Sequence, residues 1–138
     1  MEYNINAKLR RGKISKRAKI IMKAIDRGQL TKNIFVYRCI AKQENKYMQS
    51  LGENEEYYCK DFKGVHVENK IKQYKKTGPS GYIFILIPKN SSVAYINDII
   101  PYRRCEKELL INKEQRYKLL KKFECKELGK QGYLVKLM

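Results

Sequence analysis

The chain of 138 residues carries 31 Lys and Arg against 14 Asp and Glu, a net charge of +17, and 43% of its residues are hydrophobic. These values predict a single domain, residues 1–138, with one modest core and an attraction to nucleic acid, ribosomes, anionic lipid or an acidic protein partner. No apolar run reaches the roughly 20 residues of a membrane-spanning helix, and the first residues hold no apolar signal core, so we expect a cytoplasmic protein, in its own cell or in a host cytosol.

The first part of the chain predicts a helix, a strand and a loop. Before Gly28, apolar residues recur at helical spacing with basic residues on the other face, which indicates an amphipathic helix. These apolar residues are Ile14, Ala18, Ile21 and Ile25. Residues 34–40 are mostly β-branched or aromatic, which predicts a strand. The polar stretch 43–56 predicts a loop that could contain a short helical turn.

The rest of the chain predicts mainly short strands. Val67, Ile71 and Tyr74 give a second, short helical stripe, and the Gly-Pro-containing residues 77–81 predict a turn. Residues 82–87 form the longest apolar run and predict a buried strand. Further strands are predicted at residues 93–96, 109–111, 117–123 and 133–137. A helix followed mainly by strands, with one interrupting helix, favours an α+β domain built on two packed sheets.

The cysteines do not have the spacing of a metal site. No two of them form a Cys-x-x-Cys pair, and His66 is the only histidine. The cysteines are Cys39, Cys59, Cys105 and Cys125. Structural zinc sites need ligands clustered in tight turns, so we expect no metal and four free thiols.

Two acids, Glu106 and Glu108, lie one residue apart at the start of an apolar run. If the run is a strand, both side chains point to the same face, because successive side chains alternate. Two like charges placed so close repel each other. Acid pairs are common on protein surfaces, so this pair is either solvated surface charge or part of a functional site. The two interpretations can be distinguished only from the surrounding sequence.

Four segments in the same order resemble the ADP-ribosyltransferase fold of bacterial exoenzymes and related viral proteins. Residues 6–12 are similar to its opening Asn-x-x-Leu-Arg-x-Gly, and residues 36–38 to its Tyr-Arg-Gly segment, with Cys39 in place of Gly. Residues 87–96 resemble its next strand pair, and residues 106–108 fall where the family carries Glu-x-Glu. The resemblance implies an N-terminal helix followed by two packed, mainly antiparallel sheets that form an NAD cleft.

The resemblance also implies a chemistry and a role for three residues. Such enzymes break the bond between nicotinamide and ribose in NAD through a transition state resembling an oxocarbenium ion. Arg38 is implied to bind a phosphate of NAD, because a guanidinium offers paired donors to an anion. Glu108 is implied to hold a ribose hydroxyl and stabilise the cationic sugar, and Glu106 to orient the acceptor and help remove its proton. In this family a Glu at the first position usually accompanies arginine acceptors, so the resemblance implies an arginine of a protein as the acceptor.

One element of the family is altered. It normally has Ser-Thr-Ser after an aromatic residue, whereas here residues 64–66 are Gly-Val-His, or residues 59–61 Cys-Lys-Asp in a second register. Loss of the hydroxyl that normally bonds the catalytic Glu should cost about 1–3 kcal/mol. His66 could substitute as a donor, and Gly64 could let nicotinamide approach the backbone. The residues implied to contact NAD are Tyr37, Arg38, Phe62, Gly64 and His66.

Three functions therefore stay open. The first is a mono-ADP-ribosyltransferase that modifies a protein, with an arginine as acceptor and an acidic surface on the target; water could compete as the acceptor. The second is a catalytically degenerate relative that serves as a binding module, because the Ser-Thr-Ser element is missing. The third is a small basic protein that binds nucleic acid or the ribosome, although zinc-finger spacing and the glycine-aromatic RNA-binding signature are absent.

Overall fold

The structure of the chain, a computed structural model, describes residues 14–27, 30–67, 80–91, 93–95, 108–125 and 129–138, with the backbone alone at 24–27, 94, 95 and 108. The elements along the chain are α1 (Lys16–Arg27), β1 (Ile34–Ile40), α2 (Lys42–Ser50), β2 (Glu56–Cys59), β3 (Lys63–His66), β4 (Gly81–Ile87), β5 (Val93–Tyr95), β6 (Glu108–Ile111), β7 (Gln115–Cys125) and β8 (Lys130–Leu137). The predicted α+β class is confirmed. The predicted helical stripe beyond Val67, the turn at 77–79 and the opening segment 6–12 lie outside the described residues.

Helix α1 is the predicted amphipathic helix. Its first turn is capped by Ser15, whose hydroxyl accepts the backbone N–H of Ala18 at 3.1 Å. Ala18 and Ile21 are buried, while Ile14 and Ile20 remain exposed. The helix lies against β5 and so covers one end of the sheet.

The predicted loop at residues 43–56 is wrong in its first part, where the chain forms helix α2. Met48 is buried there, and Leu51 is buried just after the helix ends. Polar residues also hold the helix, because Asn45 Oδ1 accepts the Tyr133 hydroxyl at 2.7 Å and the Glu44 carboxylate binds Arg38. Two apolar positions are too few for a helical stripe, and tertiary hydrogen bonds leave no pattern in the sequence.

The strands follow the order β2-β7-β8-β4-β1-β3-β6-β5 in the part of the chain that the structure describes. Neighbouring strands are antiparallel except for β4 and β8, which are parallel. Strands β1 and β3 are joined at a single register pair, Tyr37 with His66. The sheet therefore consists of a five-stranded part, β2-β7-β8-β4-β1, and a three-stranded part, β3-β6-β5, which correspond to the two mainly antiparallel sheets that were predicted.

The sheet is not flat between β2 and β3. In a flat sheet, β2 and β3 would lie five strand spacings apart, about 24 Å. The chain joins Cys59 at the end of β2 to Lys63 at the start of β3 by four Cα steps, which span at most about 15 Å. The edge strand β2 must therefore curl towards β3. We call residues 60–62 the crossing segment; within it Asp61 and Phe62 are buried.

Both parts of the sheet contribute to one hydrophobic core. Fully buried side chains come from the five-stranded part and from the three-stranded part alike. They are Val36, Ile87, Leu119, Tyr133 and Val135 from the first, and Val65, Leu109 and Ile111 from the second. The two parts are therefore packed against each other in one core, with β3 and β6 next to β1. Neither described helix is long and apolar enough to cross a membrane.

Candidate functional site

Three neighbouring strands bring the predicted site residues together at the level of the backbone. His66 of β3 pairs with Tyr37 of β1 on one side and with Glu108 of β6 on the other. Two strand spacings separate Tyr37 from Glu108, about 10 Å. Glu108 is the first residue of β6, and Glu106 lies outside the described residues. The Arg-bearing strand, the altered element and the strand of the second acid are thus adjacent.

The Arg38 guanidinium is held between α2 and β3. Its Nε and Nη2 donate to the two carboxylate oxygens of Glu44 at 3.2 and 3.0 Å, and its Nη1 donates to the Gly64 carbonyl oxygen at 2.9 Å. Strand alternation places Arg38 on the same face of β1 as the buried Val36 and Ile40. A charge on this core-facing side is destabilising unless it is paired, and Glu44 provides the opposite charge. Of its five N–H groups, three are used in the described contacts, and two can still donate.

Burial and ion pairing act in opposite directions on Arg38 and Glu44. Burial alone lowers the pKa of Arg38, but the hydrogen bond and charge of Glu44 outweigh it, so this pKa lies above its ordinary value. Burial alone raises the pKa of Glu44, but Arg38 outweighs it, so this pKa lies below its ordinary value of 4.5. Both groups are therefore charged at neutral pH.

A cavity of about 380 Å³ opens beside the Arg38–Glu44 pair, bounded by α2, β2 and the crossing segment. Its walls are rich in tyrosine. The rings of Tyr57 and Tyr117 stack with centroids 5.3 Å apart, and Tyr47 meets Tyr57 edge-on at 6.0 Å. Small-molecule sites have volumes of about 300–1,000 Å³, so the cavity is large enough for a small molecule. Its aromatic walls suit a planar group.

Tyr117 brings an unpaired polar atom to this cavity. Its side chain is 1% exposed, and its hydroxyl has no hydrogen-bond partner among the described residues. Burial raises the pKa of Tyr117, which keeps the hydroxyl protonated and able to donate. A buried hydroxyl without a partner is destabilising, so a ligand or a water molecule is expected beside it.

Known structures share this architecture. Plx2a, an ADP-ribosyltransferase toxin from Paenibacillus larvae, has a TM-score of 0.76 at 17% identity, over 98% of this chain and 79% of that chain. C3stau2 from S. aureus, solved with NAD, has a TM-score of 0.76 at 13% identity, over 98% and 80% of the two chains. The ADP-ribosylating toxin BECa of a C. perfringens binary enterotoxin, solved with NADH, has a TM-score of 0.73 at 20% identity, over 97% of this chain and 39% of that chain.

The chain has the ADP-ribosyltransferase fold. Comparison of sequences finds no matching family model and no matching curated protein. At these identities, the likeness to solved structures establishes the fold, while the role of each site residue in this chain remains a prediction.

Within this ADP-ribosyltransferase fold, the residues predicted to contact NAD occupy different environments. Arg38 and the Gly64 carbonyl are in contact, and His66 lies beside Tyr37 in the backbone register. The Tyr37 ring meets Phe84 edge-on at 5.6 Å, on the face of β1 opposite to Arg38. Phe62 is buried in the crossing segment. The structure thus joins two of the five residues directly and brings two more next to each other.

Two residues of the site were missed by the sequence analysis. Glu44 falls in the polar stretch that was interpreted as a loop, and it could have been found only by asking which acid compensates Arg38. Tyr117 was treated as an ordinary strand residue, and no sequence pattern distinguishes it from the core tyrosine Tyr133. Among the described residues, no group of three or more His, Cys, Asp or Glu side chains could hold a metal ion.

Replacing Tyr117 or Tyr133 by phenylalanine should have opposite effects on stability. Tyr117→Phe is expected to leave the free energy of unfolding unchanged or raise it by up to about 1 kcal/mol, because it removes an unpaired buried hydroxyl. Tyr133→Phe is expected to lower it by about 1 kcal/mol, because Asn45 Oδ1 loses its donor. Urea unfolding measures both. An equal loss in the two variants would mean that the Tyr117 hydroxyl has a partner in the folded protein.

Proposed function

We propose that this chain is a mono-ADP-ribosyltransferase that cleaves NAD and transfers ADP-ribose to a protein, with an arginine side chain as acceptor. One observation carries the proposal: β1, β3 and β6 are adjacent, so that Arg38, Gly64 and the Glu108 backbone lie in one region. Solved proteins of the same fold include an ADP-ribosyltransferase toxin and proteins solved with NAD or NADH.

The cavity beside Arg38 fits one part of NAD. Two guanidinium N–H groups and the Tyr117 hydroxyl can donate to phosphate or amide oxygens, and the tyrosine rings can stack on a planar base. A volume of about 380 Å³ accommodates a ring with its ribose but not the whole dinucleotide. NAD therefore extends beyond this cavity, and Arg38 binds a phosphate at its edge.

The proposed reaction assigns one task to each acid. The bond between the ribose C1 and the nicotinamide nitrogen breaks, and nicotinamide leaves as a neutral molecule with the bonding electrons. Glu108 stabilises the positive charge that develops on the ribose. A guanidino nitrogen of the target arginine then attacks C1, and Glu106 accepts the proton that this nitrogen loses.

The altered element favours one alternative. Residues 64–66 lack a hydroxyl to bond Glu108, so a protein that binds NAD without cleaving it is the second candidate. It predicts binding of NAD without release of nicotinamide, with or without a target. The nucleic-acid-binding alternative has no support in the described residues beyond the net charge of +17.

The decisive experiment follows both halves of NAD. The purified chain is incubated with NAD labelled in nicotinamide or in adenine, alone, with a cell extract and with agmatine as a small guanidine acceptor. We expect nicotinamide release in all three, and adenine label on a protein band and on agmatine. Intact NAD in every sample would refute the transferase. Binding of NAD in calorimetry without release would favour the binding module, and release without label transfer would indicate NAD hydrolysis.

A further inference from the structure

We infer that Glu44 is a positioning residue: through Arg38 it fixes the Gly64 carbonyl, and with it strand β3, beside the strand that carries Glu108. The inference rests on the proposed transferase function. The altered element lacks the hydroxyl that would bond Glu108, and in this inference the position of Glu108 is set through the β3 backbone instead.

A continuous series of contacts leads from α2 to β6. Glu44 binds Arg38 through both carboxylate oxygens, and Arg38 Nη1 donates to the Gly64 carbonyl oxygen at 2.9 Å. In β3, Gly64 is opposite Leu110 and His66 is opposite Glu108, both on β6. A shift of the Gly64 carbonyl is therefore a shift of the strand that pairs with the residue proposed to act on the ribose.

Strand β3 needs this contact because its ladder to β1 is minimal. The two strands share one register pair, Tyr37 with His66. The bond from Arg38 to Gly64 is a second connection, and it acts two residues away along β3. Gly64 has no side chain that could bind Arg38, so the contact is made by its backbone carbonyl oxygen. Strand β3 forms four register pairs with β6 but one with β1, so its side towards β1 opens more easily than its side towards β6.

Glu44 determines where the guanidinium points. The Arg38 side chain has several rotatable bonds, and one hydrogen bond to a carbonyl leaves its plane free to turn. A two-oxygen contact with Glu44 fixes that plane and aims Nη1 at β3. Each side chain is 25% exposed, so water competes less than at a surface ion pair.

The test is Glu44→Gln, with Glu124→Gln as the matched control at an exposed strand position. The amide keeps one acceptor oxygen but loses the charge and the two-oxygen contact. We expect kcat for nicotinamide release to fall about 10- to 100-fold, and to change by a larger factor than the KM for NAD, because the reacting groups are misplaced. The control should match the wild type in both.

Amide hydrogen exchange gives a readout that does not need activity. In Glu44→Gln, the β3 amides should exchange at least about tenfold faster, while those of β8 keep their protection. If Glu44→Gln is not fully folded by circular dichroism, Glu44→Asp, which keeps the charge and shortens the reach, takes its place and should change both readouts in the same direction. An unchanged kcat, or β3 exchange equal to the wild type, overturns the inference. An inactive wild type refutes the transferase instead, and the exchange result then decides whether Glu44 holds β3.

Discussion

Glu108→Gln is expected to lower the rate of nicotinamide release from NAD by a factor of about 100 to 1,000, the loss typical when one preorganised electrostatic group is removed from a transition state. The amide has the size of the carboxylate but no charge, so it cannot stabilise a positive ribose. The backbone pair with His66 is unaffected, and we expect the free energy of unfolding to change by less than about 0.5 kcal/mol. Release is measured with labelled NAD and stability by urea unfolding.

Two further variants make this result specific. Glu124→Gln removes a carboxylate from an exposed position on β7 and should leave release unchanged. Glu106→Gln should reduce transfer to protein far more than release of nicotinamide, because its proposed partner is the acceptor. If Glu106 and Glu108 can both be replaced with full activity retained, the proposed mechanism is wrong. If the loss of nicotinamide release in Glu108→Gln is explained by unfolding of the variant, the result no longer supports the mechanism.

The strands that a sequence pattern can predict are those that are apolar along their length. Strands β1 and β4 are rich in β-branched and aromatic residues, and both were predicted with nearly the observed limits. Strand β2 was not predicted because it has only four residues, it directly follows a polar stretch, and it lies at the edge of the sheet with one face exposed. Helix α2 was not predicted because polar side chains make several of its contacts and Met48 is its one buried residue. Hydrophobic patterns in a sequence indicate local burial only. Strand β2 and helix α2 are instead held by contacts with residues distant in the sequence.

The site was predictable only in part. The resemblance named Arg38, residues 64–66 and Glu108, and the structure brings the backbones of their strands together. It could not reveal that Arg38 has an acid partner in α2, because that partner depends on how the helix packs. Nor could it reveal the cavity, which lies where α2, β2 and the crossing segment meet beside the Arg38–Glu44 pair. Both features follow from the topology and not from any short motif.

The Arg38–Glu44 pair allows stability and activity to be separated. Arg38→Met leaves Glu44 without its cation and the Gly64 carbonyl without its donor. We expect the free energy of unfolding to fall by about 3 kcal/mol, the lower end of the range for breaking a buried pair, because each side chain is one quarter exposed. Arg17→Met, at an exposed position on α1, is the matched control and should change it by less than about 0.5 kcal/mol.

Replacing both partners should restore stability but not activity. In Arg38→Met with Glu44→Leu, no unpaired charge remains, and apolar side chains fill the same space, so the free energy of unfolding should return to within about 1–2 kcal/mol of the wild type. Nicotinamide release should stay at least about 100-fold reduced, because no guanidinium is left to bind a phosphate of NAD or to hold Gly64. Urea unfolding of the two single variants and the double variant gives the coupling energy between the partners. A double variant no more stable than Arg38→Met would show that Glu44 does not compensate Arg38, and an active one would show that Arg38 has no part in the reaction.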